Sequence, residues 1–190
     1  MQFIKFVGNF YTKQMDKRPL FTKVGTAVFT STTSDMLAQF GIEKRTFETY
    51  QFKRTFNMMM ISTMFMVPWA HIWHSRAVPY ITNMFQGSTF KKTTACLVAD
   101  YSTLSPFLLS AHLFLVEAFK TLDFKAGMRS VQCKFGKAYK SNLAFWPAVS
   151  AISYSLVPAN YRILFGSVIG LFWGVYMNQI ANQRHSAESN

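Results

Sequence analysis

Charge is what this sequence has least of. Only 15% of its 190 residues are Asp, Glu, Lys or Arg, against ~25% in ordinary soluble domains. The acids are scarcest, 8 Asp and Glu against 20 Lys and Arg, which leaves a formal net charge of +12. Cysteine is nearly absent too: Cys96 and Cys133 form no paired motif and read as free thiols rather than a disulfide framework. No G-x-S-x-G, H-E-x-x-H, Walker loop or G-x-G-x-x-G is present, so hydrolase, metalloprotease, nucleotide-triphosphate and dinucleotide readings lack their motifs, and an enzyme is not expected. No metal or cofactor is expected either: His71 and His74 are three apart but have no further ligand nearby in sequence. The basic residues are scattered among connections without a nucleic-acid reader module, so direct nucleic-acid binding is not expected.

Apolar residues fill the space. The chain is 50% hydrophobic and 17% aromatic, with 20 Phe and 11 Met. Mean hydropathy is only +0.11, and the placement of the charges is what decides the class. Residues 24–42 carry one charge, Asp35; residues 55–90 one, Arg76; residues 93–116 one, Asp100; residues 141–183 one, Arg162. A helix crossing the bilayer core needs ~20 residues, and a soluble helix of that length keeps a charged outer face. These stretches cannot. The expected fold is all-α: a polytopic membrane helix bundle of about four transmembrane helices in one domain over 1–190. The expected spans are about 20–40, 54–76, 94–117 and 160–182. An additional apolar helical segment is expected at about 141–157, cut off from the last span by Pro158. Residues 117–140, with six basic side chains, read as a polar loop. Phe3, Phe6, Val7 and Phe10 fall at helical spacing with Lys5 and Lys13 off that face, so a basic amphipathic helix precedes Pro19 and resembles a mitochondrial presequence.

A lone ionised side chain at mid-span costs ~2.5–3.5 kcal/mol. Asp35, Arg76, Asp100 and Arg162 should therefore face inward, pair, or lie near a polar interface. Ser31, Asp35 and Gln39 lie four apart on one helix face. Two readings stand side by side: a polar lining for solute or ions, and an inter-helix network that holds the bundle together. Arg162 follows Pro158, and a helix break there would bring freed carbonyls, with Asp35 or Asp100 as countercharge, within reach of its guanidinium. Gly166, Gly170 and Gly174 share one face of the last span, where a second helix can approach closely. The basic connections suit anionic lipid heads such as cardiolipin. Eight basic residues on one side against ten on the other leave the orientation open.

Ordered motifs along the chain bear a family resemblance. Trp146-Pro147, Val157-Pro158, Tyr161-Arg162, Trp173 and Tyr176 resemble the C-terminal signature of the Mpv-seventeen / twenty-two-kilodalton peroxisomal membrane protein family. Upstream, Pro19, Thr22 and Lys23 look like its first-helix start, and Asp35 with Gln39 like its Gly-Asp-x-x-x-Gln motif. Arg54, Pro68, His71 and Trp73 look like its second-helix pattern, and Asp100 with Pro106 its third. Ser34 and Val67 stand where the family has Gly, and Tyr101, Ser150 and Ser153-Tyr154 replace its amide and aromatic positions. The resemblance implies a four-helix protein of the mitochondrial inner membrane, or alternatively the peroxisomal membrane. It implies a channel-like role, a polar path for small solutes or ions. The alternative is a non-catalytic accessory subunit of a larger inner-membrane complex, and the expected partners are the lipid bilayer and further copies or subunits.

Overall fold

The computed structural model describes residues 2–85, 88–156 and 162–182, with side chains described in these ranges except at 2–9, 151, 153–155, 162–164 and 167. The described residues form six helices and no strand. Helix α1 is Gln2–Lys17, broken from α2 at Arg18, whose extended φ of −141° is followed by Pro19 in the first turn of the next helix. Helix α2 is Pro19–Met36, prolonged by a π-helical turn over Leu37–Ile42. Helix α3 runs without interruption through residues 52–84, α4 is Thr89–Thr121, α5 is Phe124–Leu156 and α6 is Arg162–Asn182. By length and hydropathy together, α4 is the one helix among the described residues sufficient on its own to cross a bilayer. The whole is an all-α membrane bundle.

The backbone irregularities track the prolines. Helix α3 widens into π-helix at Ile61–Met66, two residues before Pro68, and at Trp73–Ala77, two residues before Pro79. Helix α4 does the same at Asp100–Leu104, two residues before Pro106. Proline brings no N–H for the i−4 carbonyl and its ring collides with that carbonyl. A local widening moves the carbonyl aside and lets the helix continue. Pro147 lies inside α5 without any such turn. Pro158 lies outside the described residues, as does the expected break there.

The expected polar loop at 117–140 is a correction. Helix α4 ends at Leu122, which adopts left-handed φ 57° and ψ 27°, and Asp123 then caps α5 by accepting from the amides of Lys125 at 2.9 Å and Ala126 at 3.3 Å. Residues 124–140 are thus the first half of α5, and its second half holds the apolar segment expected at 141–157. The polar count hid a helical stripe of three small residues and one lysine: Gly127, Ser130, Lys134 and Ala138 are all buried. Gly127 is needed there because a Cβ would come within 2.7 Å of the Phe114 ring of α4.

The core joins four helices: Met58 and Ile61 of α3, Leu109, Leu113 and Val116 of α4, Ala138 of α5, and Met177, Ile180 and Ala181 of α6. Outward, Phe21, Phe29, Met64, Phe107 and Phe172 stay exposed, as lipid-facing side chains do. The glycine face of α6 is narrower than its sequence suggests. A Cβ on Gly174 would lie 2.9 Å from Cβ of Ser34, so the Ser34 side chain of α2 packs directly on the backbone of α6 there. Gly166 and Gly170 meet nothing within 4 Å. Gly174→Leu should therefore cost ~1–3 kcal/mol or more through overpacking, whereas Gly170→Leu should leave detergent stability near wild type. Thermal melting of both variants checks the contrast, and equal losses would contradict it.

Candidate functional site

Two polar regions stand out, one at an end of the bundle and one at its centre. At the end, α2 meets the start of α3. Asp35 is fully buried, and its Oδ1 lies 2.9 Å from Nε of Arg54 as an ion pair. Its Oδ2 accepts from the Thr55 hydroxyl at 2.6 Å and from Nε2 of Gln39 at 2.8 Å. The single Thr55 proton is thereby committed, so Tyr50, 2.6 Å from the same oxygen, must donate to it. Gln39, also fully buried, accepts from the Gln51 amide at 2.8 Å through its Oε1. One helix face, 35 and 39, thus grips the first turn of α3.

The connecting segment closes the network. Arg54 donates from Nη1 to Glu43 at 2.7 Å, and Arg45 donates from Nε to the other Glu43 oxygen at 2.8 Å. Burial alone would raise the Glu43 carboxyl, but the hydrogen bonds and charges of Arg45 and Arg54 outweigh it and hold the group below its ordinary value. A second cluster lies at the same end. Lys134 of α5, nearly buried, donates to the Ala181 carbonyl of α6 at 2.7 Å and faces Glu117 of α4 at 3.7 Å. Lys120 reaches the same carboxylate at 3.3 Å. Three helices are tied by one lysine and one glutamate.

At the centre lies a cavity of about 790 Å³, to which α2 through α6 all contribute. Asp100 lines it, together with Ser31, His74, Tyr101, Asn142 and Asn178. Around these, Ser105 donates to Asn142 at 2.9 Å and Tyr139 to the Tyr101 carbonyl at 2.8 Å, binding α4 to α5. Ser34 donates to the Leu171 carbonyl at 3.1 Å, binding α2 to α6. His112, another lining residue, has its Nε2 sealed from solvent with no hydrogen-bond partner among the described residues. Trp146 and Trp173 form one wall, in an aromatic stack with Phe145 and Tyr176.

The structure separates the residues singled out in the sequence. Asp35 and Gln39 belong to the end network, with Arg54 as the countercharge, a residue the sequence reading placed at the start of the second span without pairing it to Asp35. Asp100 faces the central cavity, and Gly170 and Gly174 line it. His71 accepts from Lys23 at 3.3 Å, since the ammonium can only donate, and His74 donates from Nδ1 to the Ala70 carbonyl at 2.7 Å. Arg162 begins α6, and its side chain lies outside the described residues. The Glu117–Lys134 pair was missed because both members fell within the supposed loop at 117–140; the stripe 127, 130, 134, 138 was the signal for it.

The lowered Glu43 carboxyl makes a stability contribution that is fully present above its ordinary value of 4.5 and disappears as the pH falls through the lower folded value. Glu43→Gln should be less stable than wild type at neutral pH, and the gap should close as the pH falls below 4.5. Melting curves across that range test it; a gap constant with pH would contradict it.

Comparison with known proteins bears on the same residues. The Mpv17 / PMP22 family profile matches residues 118–178, which cover α5 and most of α6. Protein SYM1 of Gibberella zeae is 25% identical over 91% of this chain and 96% of its own length. The peroxisomal membrane protein PMP22 of Arabidopsis thaliana is 27% identical over 88% of this chain and 85% of its own. The mitochondrial inner membrane protein Mpv17 of mouse is 23% identical over 91% of this chain and 96% of its own. No solved structure matches. With the profile falling on the Trp146-Pro147 helix and the aromatic stack, and these relatives aligned along nearly the whole bundle, the chain is similar to the Mpv17 / PMP22 family of membrane proteins.

Proposed function

We propose that this protein provides a polar path for small solutes or ions across an organellar membrane, without catalysing a reaction. The observation that carries this reading is the central cavity, about 790 Å³ of space reached by side chains from five helices. A solute leaving water needs replacement hydrogen bonds, because an unpartnered polar group in an apolar site costs ~2–7 kcal/mol. Ser31, Tyr101, Asn142 and Asn178 offer such partners at separate points of the lining, and Asp100 adds a formal negative charge. Several weak sites suit passage better than one tight one, since a solute must leave as well as enter. The end network then serves as scaffold, holding the helices apart around the cavity. We place the protein in the mitochondrial inner membrane, with the peroxisomal membrane as the alternative; the names of the mouse and Arabidopsis relatives support one each.

Gly170 supplies a test in which fold and path separate. It lines the cavity, yet a Cβ there meets nothing within 4 Å. Gly170→Trp should fill the space and cut the release of small sugars and salts from reconstituted vesicles several-fold, with little change in melting temperature. Wild-type vesicles as tight as protein-free ones would contradict the path. Tight vesicles together with migration of the native protein in a discrete large complex would favour the accessory-subunit reading.

A further inference from the structure

At the opposite end from the ion-pair clusters, the last turns of α3 and the first turns of α4 pack as a hairpin and leave a groove of about 580 Å³ between them. Its walls are apolar: Ile81 and Met84 from α3, Phe90 and Val98 from α4. Its floor is cut low by Ala95 and Ala99, one turn apart on one face of α4. Phe90 is 78% exposed and Val98 62% exposed, so nothing in the described chain covers them. The groove holds one charge, Lys91, and no acid. Lys91 sits in the first turn of α4, and Ala99 lies eight residues on, ~12 Å along the helix. A cation at one end and an apolar channel at the other define a directional site.

We infer that this groove binds one anionic phospholipid of the surrounding bilayer, its phosphate on Lys91 and an acyl chain laid along α4 towards Ala99. Charge and depth agree. Helix α4 is the helix apolar and long enough to cross the membrane, so its first turn marks the head-group level and the groove descends from there into the hydrocarbon. Lys92 adds a second cation beside Lys91, and the first turn of α4 contains no acid to oppose an anion. Among the described residues neither lysine has an ion-pair partner within the chain, so a lipid phosphate competes with no internal carboxylate. A zwitterionic lipid would fill the same groove but gain less from Lys91. The proposal concerns the outside of the bundle and holds whether or not the central cavity conducts.

The test uses the full chain purified in a neutral detergent, with native mass spectrometry as the readout. Dioleoyl phosphatidylglycerol and dioleoyl phosphatidylcholine, identical in their chains, are offered at equal concentration. The wild type should retain one phosphatidylglycerol in clear preference. Lys91→Gln should lower that retention about fivefold, the factor expected from ~1 kcal/mol per basic residue at a lipid surface. Ala95→Phe, which fills the floor and leaves Lys91 in place, should lower it as well; if that variant fails to fold, Lys91→Gln alone decides. Lys125→Gln, at the other end of the bundle, is the control and should change nothing. Equal retention of the two lipids, or equal loss from Lys91→Gln and Lys125→Gln, would overturn the site. Displacement of phosphatidylglycerol by equimolar oleate would overturn the assignment to phospholipid.

Discussion

One buried ion pair sets the geometry of this bundle. Asp35 has no solvent and Arg54 almost none, so each depends on the other for its charge to be tolerated. Removing one member of such a pair costs ~3–5 kcal/mol, because the remaining charge is left buried without compensation. The pair also fixes direction. Asp35 sits near the end of α2 and Arg54 in the first turn of α3, so their contact, with Gln39 and Thr55 beside it, determines where α3 starts and at what rotation. Helix α3 then presents Met58 and Ile61 to the core shared with α4, α5 and α6. The Glu117–Lys134 contact does the corresponding work for α4, α5 and α6 at the same end.

With the helices tied at one end, the bundle can remain open at its centre. Several of the lining hydroxyls and amides bond between helices, as Ser105 with Asn142 and Ser34 with the Leu171 carbonyl do. Such bonds hold neighbours together while leaving polar groups facing the cavity. The π-helical turn at Asp100–Leu104 belongs to this arrangement: the accommodation of Pro106 widens α4 where Asp100 and Tyr101 face the cavity. Ser34 shows local compensation. It occupies a position where the family resemblance leads one to expect glycine, and it fits because Gly174 gives way on the facing helix.

The sequence disclosed the fold class and the approximate helix positions because emptiness of charge over ~20 residues has few structural explanations. It also brought out Asp35 and Gln39, four apart on an otherwise apolar face. What it hid were relations across helices. Arg54 looked like one basic residue among many at the edge of a connection, and nothing in one dimension shows that it turns inward to Asp35. Residues 124–140 were read as loop because their charge drew attention from the spacing of Gly127, Ser130, Lys134 and Ala138. The three glycines of α6 were equivalent by spacing, yet only Gly174 is closely approached, by the Ser34 side chain, since a helix of that length contacts different neighbours at each turn. The cavity and the α3–α4 groove are spaces between elements and leave no motif.

The most direct test of this account is a double-mutant cycle on Asp35→Asn and Arg54→Gln, with unfolding followed in a denaturing-detergent titration. If the buried pair governs how α2 and α3 join, each single variant will lose ~3–5 kcal/mol. The double variant will then lose ~1–3 kcal/mol less than the sum of the two single losses. Losses that simply add, or single variants that unfold like the wild type, would show that the bundle is held by other contacts and that the ion pair is incidental.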